Sequence, residues 1–368
     1  MRVAIDARAL MGEQTGIGTY TRGIARALAA RPGIEVGLFS PRPLADPPRG
    51  ARLGALEGPD LPGLVWTQAA FAGRAARWGA DVLLAALTIA PAATSVPVVS
   101  VVHDLTPVTH PEWHAARTLI GFLPFWDQTA DQAARFVCVS EATARELARL
   151  HPGTRGRLRV ALNGVEPEFC PGGTPASRAD IRERFSAGKP FLLYLGTLEP
   201  RKNIAALVAA CELLWQERED RPDLVLAGGA GWKAEPLLER IRSSRFRDRI
   251  HLAGYAARPE ALELYRGAEA FVYPSFEEGF GLPLAEAMAC GTPCVASTAA
   301  ALVEVGGDAA LYAHPEDPRA LSSAIASALE DPAVRTRLAS AGPRRAAAFT
   351  WEAAAAVTAS ALEEAAGS

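Results

Sequence analysis

Short apolar runs recur along the whole chain and alternate with stretches of helical periodicity. Val3–Ile5, Val36–Phe39, Val82–Ala85, Val98–Val102, Phe136–Val139 and Leu158–Ala161 form the first series, with helical patterns such as Thr19–Ala30 and Ala142–Leu150 between them. A strand apolar at every position is buried on both faces, and a helix between two such strands returns the chain parallel to itself. That order predicts parallel sheets covered by helices. A segment rich in Pro and Gly, Pro167-Glu-Phe-Cys-Pro-Gly-Gly-Thr-Pro175, then interrupts the alternation and reads as a linker. A second series follows with Phe191–Leu195, Leu224–Ala227, Ile250–Leu252, Ala270–Tyr273 and Cys294–Ala296. At 368 residues a single core is unfavourable, so two α/β domains are expected, 1–170 and 175–349. Sheets of this kind bind ligands at the C-terminal ends of their strands, here in a cleft between the domains.

Composition removes several classes of function. A net charge of −3 gives no general attraction to nucleic acid, so anion binding has to come from local cations. Cys138, Cys170, Cys211, Cys290 and Cys294 are scattered, without paired metal-ligand spacing, and read as reduced thiols of a cytoplasmic protein. Met1-Arg-Val-Ala-Ile-Asp6 reads as a first strand rather than a secretion signal. The uncharged run Val82–Val102 has the length of a membrane span, but Pro91 and Pro97 divide it into two buried strands and a loop.

The densest chemistry lies in Ala270-Phe-Val-Tyr-Pro-Ser-Phe-Glu-Glu-Gly-Phe-Gly-Leu-Pro-Leu-Ala-Glu-Ala-Met-Ala-Cys-Gly-Thr-Pro293. Gly279 and Gly281 allow close backbone approach to a ligand, Pro283 suits a first helical turn, and Gly291 supplies the stop. The positive end of that helix favours a phosphate. Glu286, about one turn in, is placed to accept hydrogen bonds from ribose hydroxyls, while Glu278 precedes the turn and faces the far end of the same ligand. Taken alone, the two acids also fit ordinary decoration of a helix start.

Other strand ends add to this. Gly196-Thr-Leu-Glu-Pro-Arg-Lys-Asn203 places Arg201 and Lys202 at the positive end of a helix, with Asn203 as its cap. Cations there cost stability unless an anion offsets them, and a diphosphate would do so. In the first domain, Gly16 and Gly18 of Thr15-Gly-Ile-Gly-Thr-Tyr20 form a turn before a helix. Thr21 stands where a dinucleotide fingerprint requires a third glycine, which disfavours NAD. His103 closes a strand and is read either as a cleft residue or as a hydrogen-bonded structural one, Asp104 as a turn cap, and Ser140 as a helix cap rather than a nucleophile.

Ile5-Asp-Ala-Arg8, the Thr15–Tyr20 turn, Val102-His-Asp-Leu105, Val139-Ser-Glu-Ala-Thr143, Asn163-Gly-Val165, the Gly196–Asn203 loop and the Glu278–Glu286 segment together resemble the retaining family-4 glycosyltransferases of GT-B fold. The resemblance spans nearly the whole chain. It implies two Rossmann-like domains with parallel sheets facing across a cleft, the first completed by a C-terminal helix of about 350–368. By resemblance, Arg201 and Lys202 hold the diphosphate of a nucleotide-sugar donor, Glu286 the ribose and Glu278 the transferred sugar. His103 contacts that sugar from the other domain, and the amides of Phe280 to Leu282 complete the cradle.

Many members carry an arginine directly after the strand glycine, where this chain has Thr197, so the geometry of the diphosphate clamp is open. The Glu-Pro-Arg-Lys-Asn form resembles a mannosyltransferase branch that uses GDP-mannose in polysaccharide biosynthesis. The implied reaction retains anomeric configuration and needs no metal or other cofactor, in keeping with the lack of an Asp-x-Asp pair. A saccharide or lipid-linked saccharide is the implied acceptor, with no nucleic-acid partner. The aromatic segment His110–Trp126 reads either as core or as a peripheral contact with the inner face of the membrane. A UDP-sugar donor, an epimerase, a phosphorylase-like enzyme and a non-catalytic sugar-nucleotide binder of the same fold stay as alternatives.

Overall fold

A computed structural model describes residues 1–12, 15–54, 61 and 63–367. The chain divides into two compact units, Met1–Gly164 with Phe349–Ser368, and Val165–Ala348. Residues 165–170 therefore group with the second unit rather than the first. The reason is local packing, in which the Phe169 ring meets Tyr265 edge-on and Arg266 donates to the Cys170 carbonyl.

The first unit is built on β1 (Arg2–Asp6), β2 (Glu35–Phe39), β3 (Arg52–Leu53), β4 (Val82–Ala85), β5 (Val98–Val102), β6 (Arg135–Cys138) and β7 (Leu158–Val160). They form one parallel sheet in the order β3-β2-β1-β4-β5-β6-β7. The run Val82–Val102 is thus two buried strands, and among the described residues no helix is long and apolar enough to cross a membrane. The C-terminal helix Trp351–Ala366 packs on this unit, its cap Thr350 accepting from Ala353 N–H. Its Trp351 ring lies against Gly23 of the helix Gly16–Ala29 and meets Tyr20 edge-on.

The second unit carries β8 (Phe191–Leu195), β9 (Asp223–Ala227), β10 (Ile250–Gly254), β11 (Ala270–Tyr273), β12 (Cys294–Ser297) and β13 (Ala310–Ala313). These pair in parallel in the order β10-β9-β8-β11-β12-β13. Two strands lie outside the sequence expectations. β3 is two exposed residues held by pairing with β2, and β13 is a short Ala-Leu-Tyr-Ala segment without β-branched residues.

The strand order places the site. In the second sheet the chain leaves β8 for β9 and β10 on one side, then returns to build β11, β12 and β13 on the other. Successive connections diverge outside the C-terminal ends of β8 and β11, which opens a crevice there.

Candidate active site

The loops after β8 and β11 meet at that switch point and are stitched together. Phe276 N–H donates to the Arg201 carbonyl at 3.0 Å, and the Asn203 side-chain amide donates to the carbonyls of Pro274 at 3.2 Å and Pro315 at 2.7 Å. Asn203 therefore does not cap the helix Ile204–Glu217 with its side chain, as the sequence suggested. It sits at the cap position in left-handed conformation, with φ of 54°, and spends its amide tying loops together.

Arg201 and Lys202 close a short 3-10 turn, Pro200–Lys202, and their side chains are only 12% and 10% exposed. The anion that this placement requires is intramolecular. Lys202 Nζ donates to Glu278 Oε1 at 2.6 Å, and Arg201 Nη1 donates to Glu278 Oε2 at 3.1 Å. Arg201 also donates to Glu199 at 3.1 Å and to the Glu277 carbonyl at 3.0 Å, while Lys202 donates to the Tyr273 hydroxyl at 2.9 Å. Burial alone would raise the Glu278 pKa, but Lys202 and Arg201 outweigh it and hold the carboxyl at about 2. Burial, together with Arg201, lowers the Lys202 pKa, and Glu278 pulls it back. Four charged side chains of two loops, Arg201, Lys202, Glu278 and Glu199, thus form one cluster whose charges balance.

Glu286 stands apart from that cluster in the helix Leu282–Ala289 and is buried. Its Oε1 accepts from Arg258 at 3.2 Å and its Oε2 from the Tyr265 hydroxyl at 3.2 Å, both from the helix Arg258–Gly267. Burial raises its pKa above 4.5 despite both donors, and Glu166 adds to the rise.

The turn before this helix is built as the glycine pattern requires at one position. Gly281 has φ of +92°, and a side chain there would also overlap Leu302. Pro283 has no N–H, and Leu284 and Ala285 both donate to the Gly281 carbonyl. The amides of Gly281 and Leu282 are left without a backbone partner among the described residues. Phe280 and Leu282 bury their side chains, and Gly279 lies in the same turn.

In the first unit, Gly16 and Gly18 lie inside the first turn of the helix Gly16–Ala29 rather than in a loop before it, since Thr15 Oγ1 accepts from Gly18 N–H at 3.2 Å and starts the helix early. Tyr20 of that helix meets the His103 ring edge-on, with centroids 4.9 Å apart. The half-buried His103 approaches the Ala86 carbonyl through Nε2 at 2.8 Å. A carbonyl only accepts, so Nε2 carries the proton and Nδ1 is an acceptor. Burial lowers the His103 pKa, which keeps the ring neutral. Asp104 caps the next turn by accepting from Thr106 N–H at 3.1 Å, and Ser140 caps the helix Glu141–Leu150.

Two features escaped the sequence reading. Gly228-Gly229-Ala230-Gly231 after β9 interlocks with the β8 loop, Leu198 N–H donating to the Gly229 carbonyl and Gly231 N–H to the Leu198 carbonyl, both at 3.0 Å. A glycine cluster directly after an apolar strand was the available signal. The other is Arg258, a cation at the first position of a helix, as Arg201 and Lys202 are cations before one.

Two doubly wound parallel sheets, with cations and carboxylates gathered at the switch point of the second sheet, give the architecture of the GT-B fold. Comparison with known proteins agrees: the family described as "Glycosyl transferases group 1" matches residues 177–345, and "Glycosyltransferase Family 4" matches residues 14–169. O-antigen chain mannosyltransferase B of Escherichia coli is 34% identical over 255 residues, covering 69% of this chain and 67% of that protein. A serotype-specific mannosyltransferase, WbdA of Escherichia coli, is 30% identical over 276 residues, 72% of this chain but 33% of that longer protein. A D-inositol 3-phosphate glycosyltransferase of Jonesia denitrificans is 29% identical over 393 residues, covering 93% of this chain and 89% of that one. Sucrose-phosphate synthase from Thermosynechococcus elongatus shares the fold with a TM-score of 0.77 at 23% identity, covering 98% of each chain. Anabaena Alr3699/HepE, solved with UDP and glucose, shares it at 0.77 and 19% identity, covering 99% of each. The chain belongs to the family-4 glycosyltransferases of GT-B fold.

Proposed function

We propose that this glycosyltransferase moves mannose from GDP-mannose to a saccharide or lipid-linked saccharide acceptor, with retention at the anomeric carbon and without a metal. The observation that carries the reading is the buried cluster of Arg201, Lys202 and Glu278 at the switch point of the donor unit. Two cations and the amides of Gly281 and Leu282 offer the charge a departing diphosphate needs. The mannosyltransferase relatives support the sugar.

In this reading Arg201 and Lys202 hold the diphosphate, Glu286 the ribose and Glu278 the sugar, with Gly279, Phe280, Gly281 and Leu282 forming the cradle. In the first unit, this reading assigns donor contact to His103 and to Gly16 and Gly18 at the start of their helix. The acceptor hydroxyl attacks the anomeric carbon on the face the diphosphate leaves. The bond from that carbon to the phosphate oxygen breaks with its electron pair on the oxygen, and a phosphate oxygen takes the acceptor's proton. The state of Glu278 supports this over a covalent glycosyl intermediate: at about 2 it is a weak base, and both its oxygens are engaged by cations.

Work at the inner face of the membrane in polysaccharide assembly fits such an acceptor. A UDP-sugar donor is the second reading, favoured by the fold neighbour solved with UDP and glucose. Thermal shift against GDP- and UDP-sugars separates the two, and stabilisation by neither overturns the donor assignment. NMR of the product anomer tests retention, and turnover in chelator tests metal independence. A glycosyl adduct trapped on Glu278 would exclude the same-face route.

A further inference from the structure

We propose that Arg258 is a positioning residue for the donor site, holding Glu286 ionised and aimed for the ribose. The inference rests on the reading of Glu286 as the ribose acceptor and adds a residue to it. Arg258 opens the helix Arg258–Gly267, where its charge faces the positive end of that helix. Such a placement requires an anion, and Arg258 Nη1 finds it in Glu286 Oε1 at 3.2 Å, from a different helix. The guanidinium is fixed from a second side by the Phe169 ring, 4.7 Å from its centroid. The Tyr265 hydroxyl fixes the other carboxylate oxygen from the same helix as Arg258.

The charges around Glu286 make the arginine necessary rather than decorative. From the segment before the second sheet, buried Glu166 faces it with a like charge, and Glu168 lies 4.0 Å from Arg258. At the C-cap of its own helix Cys290 follows one turn later, with its thiol pushed up to about 12 and therefore neutral. Tyr265 is held far above its ordinary range by burial and is likewise neutral. Arg258 is the cation bonded to Glu286, while Arg266 acts on Cys290. Without Arg258, its charge would no longer oppose the effects of burial and of Glu166 on Glu286, and the carboxyl would take up a proton more readily. A protonated carboxyl loses acceptor capacity toward ribose hydroxyls, and its proton points into the space they need.

The test uses the full chain and needs no acceptor. GDP affinity is titrated from pH 5.5 to 8.5 for wild type, Arg258→Met, Arg258→Lys and Glu286→Gln, with UDP as a parallel arm and circular dichroism to confirm folding. GDP-mannose hydrolysis at saturating donor supplies kcat. Wild type is expected to bind with little pH dependence over this range. Arg258→Met should weaken GDP about tenfold at the acid end, the scale of one charge-assisted hydrogen bond, and recover as pH rises. Its kcat at saturation should stay within about twofold, since no interaction special to the transition state is removed. Arg258→Lys, which keeps the charge, should restore most of the affinity. In the Glu286→Gln background, Arg258→Met should add nothing. A loss of affinity in Arg258→Met that is the same at every pH and additive to Glu286→Gln would overturn the proposal while leaving the ribose assignment intact. Unchanged GDP affinity in Glu286→Gln itself would instead remove that assignment, and the proposal with it.

Discussion

Glu278 and Glu286 are identical side chains on one short segment, both buried, and their surroundings push them in opposite directions. Glu278 accepts from Lys202 and Arg201 and is held at about 2, while Glu286 accepts from Arg258 and Tyr265 with Glu166 nearby and is raised. Burial acts the same way on both. The difference is the count of nearby charges: two cations on Glu278, against one cation and one further acid on Glu286. A divergence of this kind separates functional roles within a site. In the proposed function, Glu278 serves the charge balance of the reacting end, and Glu286 the recognition of a neutral, hydroxyl-bearing part of the donor.

The sharpest way to break that division is Glu278→Gln. Turnover is expected to fall by roughly a thousandfold, the scale for loss of a preorganised charge in a transition state, and hydrolysis or transfer assays read it directly. The same variant should bind GDP more tightly than wild type, because the carboxylate that neutralises Lys202 and Arg201 in the free protein no longer competes with the diphosphate. Unchanged turnover would remove Glu278 from the chemistry, and weaker GDP binding would show that the cluster does not compete with the nucleotide.

Removing a cation tests the other half of the cluster. Lys202→Met is expected to weaken GDP binding by about tenfold or more, as loss of a charged hydrogen bond predicts. It should also destabilise the free protein by about 3 kcal/mol, since it leaves Glu278 buried with one partner fewer. Calorimetric titration and denaturant unfolding measure the two effects separately, and a stable variant with normal affinity would mean Lys202 is not part of the clamp.

Much of this was legible because its signals are local. Uninterrupted apolar runs marked the strands buried on both faces, and Gly281, Pro283 and Gly291 bracketed a helix by their own backbone limits. The pairing of Glu278 with Arg201 was not legible, since it joins loops that follow β8 and β11, and their adjacency comes only from strand order. The sequence showed two cations in want of an anion and supplied a ligand, where the fold supplies a carboxylate first. Arg258 obeys the same rule at a helix start, but nothing in its neighbourhood of sequence points to Glu286. Gly16 and Gly18 were misplaced by a turn because Thr15 caps earlier than a glycine pair suggests.

The smallest predicted effect is the one that tests the comparison most directly, through stability and pH. An acid whose folded pKa lies below its unfolded value stabilises the protein above the unfolded value, and that contribution is lost as pH falls through the folded one. For Glu278 the window runs from 4.5 down to about 2, and roughly 1.4 kcal/mol of its contribution is lost between pH 7 and pH 3.5 before any discount for relaxation. Glu286 has the opposite sign, because its folded pKa is raised: ionisation costs stability at neutral pH, and that cost disappears as pH falls below the raised value. Urea unfolding between pH 7 and pH 3.5 should therefore show the gap between wild type and Glu278→Gln narrowing with acid. Glu286→Gln, which retains an acceptor for Arg258, should be equal to or slightly more stable than wild type at pH 7 and lose that advantage with acid, while binding GDP less well. Two variants that shift the profile in the same direction would show that burial, not the local balance of charge, governs both carboxylates.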